Sequence, residues 1–472
     1  MALGLFAIAA LVGSGYAAPS AATCDTVDKG YQCQTDISHS WGQYSPWFSV
    51  PSTISPALPS GCEYRMAQVL SRHGARDPTA SKTKTYNATI NRIKASVKNF
   101  PGKYAFLTDY VYTLGADQLT AFGEQQMINS GAHFYDRYSS IARKETPFIR
   151  ASSEDRVVES ALNWTQGFHA SKSRSRSDSA YPYPLVTISE SPGQNNTLNH
   201  DICTAFEDGP SSTIAATAQA KWASIFLPPI QSRINTDLSA NLTQADMIVL
   251  LDLCPFTTVA SPKGTISPFC ALFTPSEFTQ YAHYQSLNKY FGYGAGNPLG
   301  PTQGVGFVNE LVARLTDLPV RDATSTNRTL DADPRTFPLG KSLYADFSHD
   351  NDMTAVMFAM GLFEGLSAPS VEGVGDEGVD ARYTAATTVP FGARIYVERM
   401  RCRVDGEKGL QKRKKREDYV RVLVNDRVMP LQGCGADALG RCTVARYVES
   451  LKFAREGGRW GECFVGNGTA VL

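Results

Sequence analysis

Arg72-His73-Gly74-Ala75-Arg76-Asp77-Pro78-Thr79 places two arginines around one histidine within five residues. A phosphate monoester carries negative charge on oxygens that an arginine fork matches bidentately. Phosphoryl transfer is mostly positioning and charge stabilisation, so this residue set suits it. Flanking guanidinium charges depress an imidazole pKa, which keeps a neutral, nucleophilic ring available in acid. Attack by His73 would split one displacement into two easier ones. Gly74 lets the backbone come close to a bound group.

A departing alkoxide needs a proton, and His349-Asp350 is the pair placed to give one. A carboxylic acid donates best near its own pKa. Asp350 would be the acid, its pKa raised by the substrate's phosphates, and His349 would hydrogen-bond the phosphoryl group. Asp352 is the rival donor. Arg150 adds a third positive fork, with Arg156 as the alternative. His39, His133, His169, His200 and His283 have no such context and read as structural or surface residues. No two histidines sit at i, i+4 and no C-x-x-C occurs, so a zinc site has no support. No G-x-S-x-G marks a serine hydrolase. Gly292-Tyr293-Gly294-Ala295-Gly296 lacks the spacing of a dinucleotide loop and reads as a hinge or loop.

Three strand-like runs deliver these residues. Tyr64–Leu70 breaks into Ser71-Arg72-His73-Gly74, Thr146–Ile149 breaks at Arg150-Ala151-Ser152, and Leu343–Phe347 breaks at Ser348-His349-Asp350. Ligands of open α/β sheets bind at the carboxyl ends of strands. Apolar spacing predicts helices over Leu119–Ser139, with Gly123 and Gly131 as weak points, and over Val305–Leu315. From Asn195 to Tyr290 helical patterns such as Ile214–Phe226 and Gln244–Leu253 dominate. This predicts an α/β chain with a helical lobe inserted, and further strands at 393–400 and 419–424.

With 472 residues the chain is long enough for two lobes. Lys+Arg and Asp+Glu both number 45, which excludes a nucleic-acid binder driven by bulk charge. The first 18 residues carry no charge, and an apolar run from Leu3 to Val12 leads into small residues. This predicts a secretory signal peptide over 1–18. No later stretch is long enough to span a bilayer. Ten cysteines suit an oxidising compartment, and the short loops favour Cys24–Cys33, Cys254–Cys270 and Cys434–Cys442. Sequons at Asn87, Asn163, Asn195, Asn241, Asn327 and Asn467 predict surface glycans. The basic run Lys412-Arg413-Lys414-Lys415-Arg416 reads as a solvated hairpin loop.

The octapeptide at 72–79 with the His349-Asp350 pair resembles the histidine acid phosphatase family, most closely the fungal phytases. Trp41–Pro46, Tyr293–Gly300, Val389–Arg394 and Asn425–Val428 carry the resemblance over nearly the whole chain from Cys24. It implies a phosphoglycerate-mutase-like histidine phosphatase α/β domain (24–194 and 291–472) with a smaller helical cap (195–290). It implies His73 as nucleophile and Asp350 as proton donor. Arg72, Arg76, Arg150, His349 and Thr79 would bind the scissile phosphate, and Gln43 and Lys82 would line the substrate pocket. The implied disulfides add Cys62–Cys402 and Cys203–Cys463 to the three short loops. No metal or other cofactor is implied. The expected partner is a small phosphomonoester, phytate above all, attacked first at the 3-position. The implied protein is an extracellular monomer that binds neither nucleic acid nor membrane.

The chain also departs from that family. Thr279-Gln280 stands where relatives are expected to carry a lysine pair for the remaining phosphates, Asn199 replaces an aspartate, and 412–416 looks inserted. Losing two lysine charges would weaken phytate binding or raise its acid dependence, and would broaden the substrate range; Asn199 partly offsets this by removing a negative charge. The competing readings are a broad-specificity extracellular acid phosphatase and, from another class, a secreted glycoprotein that binds polyanions without turnover.

Overall fold

Strand β1 (Cys62–Arg72) is the centre of the molecule. In the computed structural model, which describes residues 35–175, 180–261, 265–375, 382–404 and 415–464, alternate β1 side chains enter opposite cores. Ala67 and Val69 enter one, Met66 and Leu70 the other. Two buried faces require cover on both sides, and the helices supply it. On the first face lie α2 (Ala121–Arg137) and α3 (Asp155–Ser175), with Met127, Phe134, Trp164 and Phe168 buried against the sheet. On the second lie α7 (Val305–Thr316) and, beyond the short α8 (Arg328–Ala332), α9 (Asp350–Ala359), with Val308, Leu311, Met353 and Val356.

The eight-stranded sheet runs β3-β2-β4-β1-β5-β6-β7, with β8 (Cys442–Thr443) paired to β6. β2 (Phe148–Ser152), β3 (Leu185–Ile188) and β4 (Leu343–Ser348) join β1 in parallel. β5 (Arg394–Val404) turns antiparallel to β1, and β6 (Lys415–Val424) and β7 (Arg427–Val428) follow it antiparallel. The parallel strands therefore end together, and they bring 72–76, 152–156 and 348–350 to one edge.

Over that edge lies a helical layer. α4 (Ile214–Leu238), α5 (Gln244–Val259) and α6 (Pro275–Tyr293) share a core of Trp222, Phe226, Leu250 and Tyr281 with Ile90 and Ile93 of α1 (Ala80–Ser96). Capping boxes Thr243/Asp246 and Thr274/Glu277 start α5 and α6. α4 runs through Pro228 and Pro229 to Leu238, beyond the expected stop at Phe226. Its apolar Ile230, Ile234 and Leu238 continue the buried stripe. Tertiary burial here outweighs the local break.

Among the described residues four disulfides are present: Cys62–Cys402, Cys203–Cys463, Cys254–Cys270 and Cys434–Cys442. They match the pairing that the resemblance implied. Cys62 and Cys402 are register partners on β1 and β5. Residues 1–18, Cys24–Cys33, Asn467 and most of the basic run lie outside the described residues. No helix among the described residues is long and apolar enough to cross a membrane. One sequon is corrected: Asn163 is 8% exposed inside α3, where its Oδ1 accepts from Gln166 Nε2 (3.3 Å). A folded chain has no room for a glycan there. Asn87 and Asn241 are exposed, and Asn195 and Asn327 are half-buried.

Candidate active site

His73 follows the last residue of β1, and its backbone N–H donates to Ser348 O at the end of β4 (3.1 Å). That one bond sets the two strand ends side by side. The His73 and His349 rings then stand 5.8 Å apart, edge to face. The turn after His73 is pressed against the start of α2. A Cβ on Gly74 would lie 2.4 Å from Gly123 O, and one on Gly123 only 1.9 Å from Ala75 O. The glycine that reads as a weak point in the helix is what lets α2 approach the loop.

His73 Nδ1 lies 2.8 Å from Gly74 O. A carbonyl only accepts, so Nδ1 carries the hydrogen and Nε2 keeps its lone pair. Burial holds the imidazole pKa well below the usual 6.5, and Arg72, Arg156, Arg76 and His349 add to it. The ring stays neutral in acid.

Arg72 is fully buried. Its Nη1 donates to Gln43 O and to Val389 O (2.8 Å), its Nη2 lies 3.3 Å from Asp350 Oδ2, and the guanidinium covers Phe391 at 4.5 Å. Arg76 donates from Nη1 to Asp77 O (2.7 Å). Arg156 sits in the first turn of α3, paired with Glu154 and, at 3.7 Å, with Asp117.

Arg150 is not part of this group. The strand expected to break at Arg150 continues to Ser152, so Arg150 lies mid-strand and two rungs below the edge. Its Nε donates to Asp346 Oδ1 (2.7 Å) and its Nη2 to Glu310 Oε2 (2.6 Å). Both ends of the fork are consumed inside the core. The third cation beside His73 is Arg156, the alternative that the sequence left open.

Asp350 opens α9, and Oδ2 lies 2.8 Å from Lys289 Nζ as well as 3.3 Å from Arg72. Burial alone would raise its pKa, but Arg72 and Lys289 outweigh that and hold the carboxyl well below the usual 3.8. Asp352, the rival, is buried and makes no ion pair with Arg72 or Lys289 among the described residues. Burial pushes it up to about 6 near His200 and His349.

Lys289 is the residue that sequence reasoning missed. It also donates to Asn351 Oδ1 (2.6 Å). Thr279 and Gln280 do not face the site. Thr279 is exposed and bonds back to Pro275 O (3.1 Å), while Gln280 O accepts from Trp222 Nε1. A helical signal existed: Tyr281, Gln285 and Lys289 follow one buried face of α6 at four-residue spacing.

The remaining expected residues sit at the lip. Gln43 is buried and donates from Nε2 to Gln285 Oε1 (2.8 Å). Lys82 Nζ bonds Asp252 Oδ2 (2.9 Å) and Tyr44 OH (2.8 Å), and Asp252 also takes the Tyr86 and Tyr281 hydroxyls. Thr79 is the N-cap of α1, its Oγ1 accepting from Lys82 N (3.5 Å). Behind His349, Nε2 is 3.1 Å from Glu190 Oε1 and 3.7 Å from Glu154 Oε2.

Among the described residues, two His/carboxylate groups bring ligand atoms within 4.8 Å of one another: Glu154, Glu190 and His349, and His200, Asp201 and Glu207. In each, the histidine is already hydrogen-bonded to a carboxylate.

A neutral histidine with a free Nε2 among three arginines, on the parallel edge of this sheet, defines a histidine phosphatase. The family model for the histidine phosphatase superfamily (branch 2) matches residues 63–425, and the chain belongs to that family. It is 52% identical over 451 residues to phytase A of Emericella nidulans, covering 94% of each chain. It is 49% identical over 470 residues to phytase A of Aspergillus oryzae, covering 97% of each. The fold is shared with the phytase from D. castellii (TM-score 0.72, 22% identity, 92% of this chain and 89% of that one).

Proposed function

We propose that this chain is a phytase, a phosphomonoesterase that removes phosphate from inositol hexakisphosphate through a phosphohistidine on His73. One observation carries the reading: a neutral His73, its Nδ1 engaged by Gly74 O and its Nε2 left with the lone pair, lies in the field of Arg72, Arg76 and Arg156, with Asp350 paired to Arg72. The extensive identity to fungal phytase A proteins supports the substrate. So does a shared fold with a multiple inositol polyphosphate phosphatase from Bifidobacterium longum in complex with inositol hexasulfate (TM-score 0.56, 16% identity, 88% of this chain and 97% of that one).

In this reading the arginines and His349 take the three non-bridging oxygens. Nε2 attacks phosphorus as the P–O bond to inositol breaks, and Asp350 gives its proton to the leaving oxygen. In the free site Asp350 is an anion tied to Arg72 and Lys289. A bound phosphate competes for those two cations and adds its own negative charge, both of which raise the carboxyl's proton affinity. Asp350 then takes a proton from water as that water attacks the phosphohistidine, which frees phosphate and restores neutral His73. The four disulfides fit an extracellular working place.

A broad acid phosphatase is the second reading, and one observation favours it. The lip cations Lys82 and Lys289 are each already paired with a carboxylate, Asp252 and Asp350. Turnover of phytate against p-nitrophenyl phosphate decides. The phytase reading expects higher kcat/KM on phytate at acid pH; a preference for the simple ester would overturn it.

A further inference from the structure

The His349 ring is held by carboxylates that lie just beyond the ends of two other strands, Glu190 after β3 and Glu154 after β2. It is the residue just before α9 and has no side-chain cap bond of its own. Its Nε2 lies 3.1 Å from Glu190 Oε1. Glu190 comes two residues after β3, and it is itself clamped. The same Oε1 accepts the Glu154 backbone N–H (3.1 Å), its own N–H donates to Ser153 Oγ (2.9 Å), and Ser152 hydrogen-bonds the carboxylate. Burial alone would raise Glu190, but the His349 hydrogen bond and charge, with Ser152 and the Glu154 N–H, outweigh it and hold the carboxyl at about 2. Glu190 therefore remains an acceptor throughout the acid range.

A carboxylate only accepts, so His349 Nε2 carries a hydrogen committed to Glu190. Among the described residues no hydrogen bond engages Nδ1. A ring that also donates from Nδ1 to a phosphoryl oxygen then uses both nitrogens, and Glu190 fixes the one on its far side. We propose that Glu190 is a positioning residue of this site, fixing the His349 ring through Nε2–H so that Nδ1 is the nitrogen left for the transferring phosphoryl group. This rests on the phosphohistidine reading above and adds to it a residue that does not touch substrate.

The test compares the full-length wild type with E190A, E190D and E190Q in kcat and KM on p-nitrophenyl phosphate. Ring spectra of 15N-histidine-labelled protein are recorded alongside. Glutamine keeps an acceptor oxygen pinned by the Glu154 N–H, so E190Q retains most of kcat and the hydrogen-bonded Nε2–H signal. E190A frees the ring and lowers kcat by about 10²-fold, the order expected for an ångström of misplacement, with little change in KM. E190D keeps the charge but falls short by one carbon, so it loses kcat as E190A does. Wild-type kcat in E190A overturns the proposal. So does the reverse order, with E190D active and E190Q as slow as E190A, because charge rather than position would then matter. Should E190A fail to fold, the order of E190D and E190Q still decides. Failure of the underlying reading looks different: wild-type enzyme that never acquires label on His73.

Discussion

Arg72 and Arg150 occupy the two strands that flank β4, and their fates differ completely. Arg72 registers with Ser348, the last residue of β4, while Arg150 registers with Asp346, two residues lower. Two residues along a strand is about 7 Å, and over that distance the environment changes from a binding site to a sealed ion cluster. At the edge, the four cations Arg72, Arg76, Arg156 and Lys289 meet the three carboxylates Asp350, Glu154 and Asp117, so charge is left over for a substrate. Below it, Arg150 and Arg314 meet Asp346, Glu310 and Asp331, and no charge remains. A buried arginine binds substrate only where its own chain has not already neutralised it.

That contrast can be broken by mutation. The largest effect is expected at Asp350→Asn, which should lower kcat on phytate by about 10²–10⁴-fold, the usual scale of general acid catalysis. Loss on p-nitrophenyl phosphate should be smaller, because its leaving group needs less help. Equal losses on both esters would remove Asp350 from the donor role. Next, Arg156→Ala should reduce kcat/KM by about 10²–10³-fold, as for removal of one anion-stabilising donor, while the denaturation midpoint scarcely moves. Arg150→Ala should do the opposite. It strands Asp346 and Glu310 and should destabilise the fold by about 3–5 kcal/mol, measured by denaturant titration, with near-normal kcat in whatever remains folded. An exchange of these two phenotypes would restore Arg150 to the site.

The smallest effect concerns pH. Burial, with Glu310 close by, pushes Asp331 up to about 8. Its proton is held in the fold between about pH 4 and pH 8 and lost from the unfolded chain, so this group makes stability fall as pH rises through that window. Asp331→Asn should flatten that decline, read as melting temperature against pH. An unchanged slope would show that Asp331 ionises normally.

The same contrast explains what could be read from the amino-acid order. The nucleophile motif and the His349-Asp350 pair were legible because each is contiguous and sits where an apolar run stops. The amphipathic stretch at 305–315 was legible for the same local reason, and became α7 almost residue for residue. Arg150 was misplaced because a charged residue ordinarily ends a buried strand. Here Asp346 and Glu310, about 160 to 200 residues away, let it continue. No local pattern carries that information. Lys289 is legible from the four-residue spacing of the buried face of α6, whereas Thr279-Gln280 lie on a different face. Glu190 has no motif at all; only the pairing of β2 with β3 brings it behind His349.

The most direct test of the account is rapid acid quench of wild-type enzyme turning over a 32P-labelled monoester, followed by peptide mapping. The account predicts acid-labile, base-stable label on the peptide containing His73, and none in His73→Ala. Label on a serine or cysteine, or full turnover without any labelled protein, would contradict it.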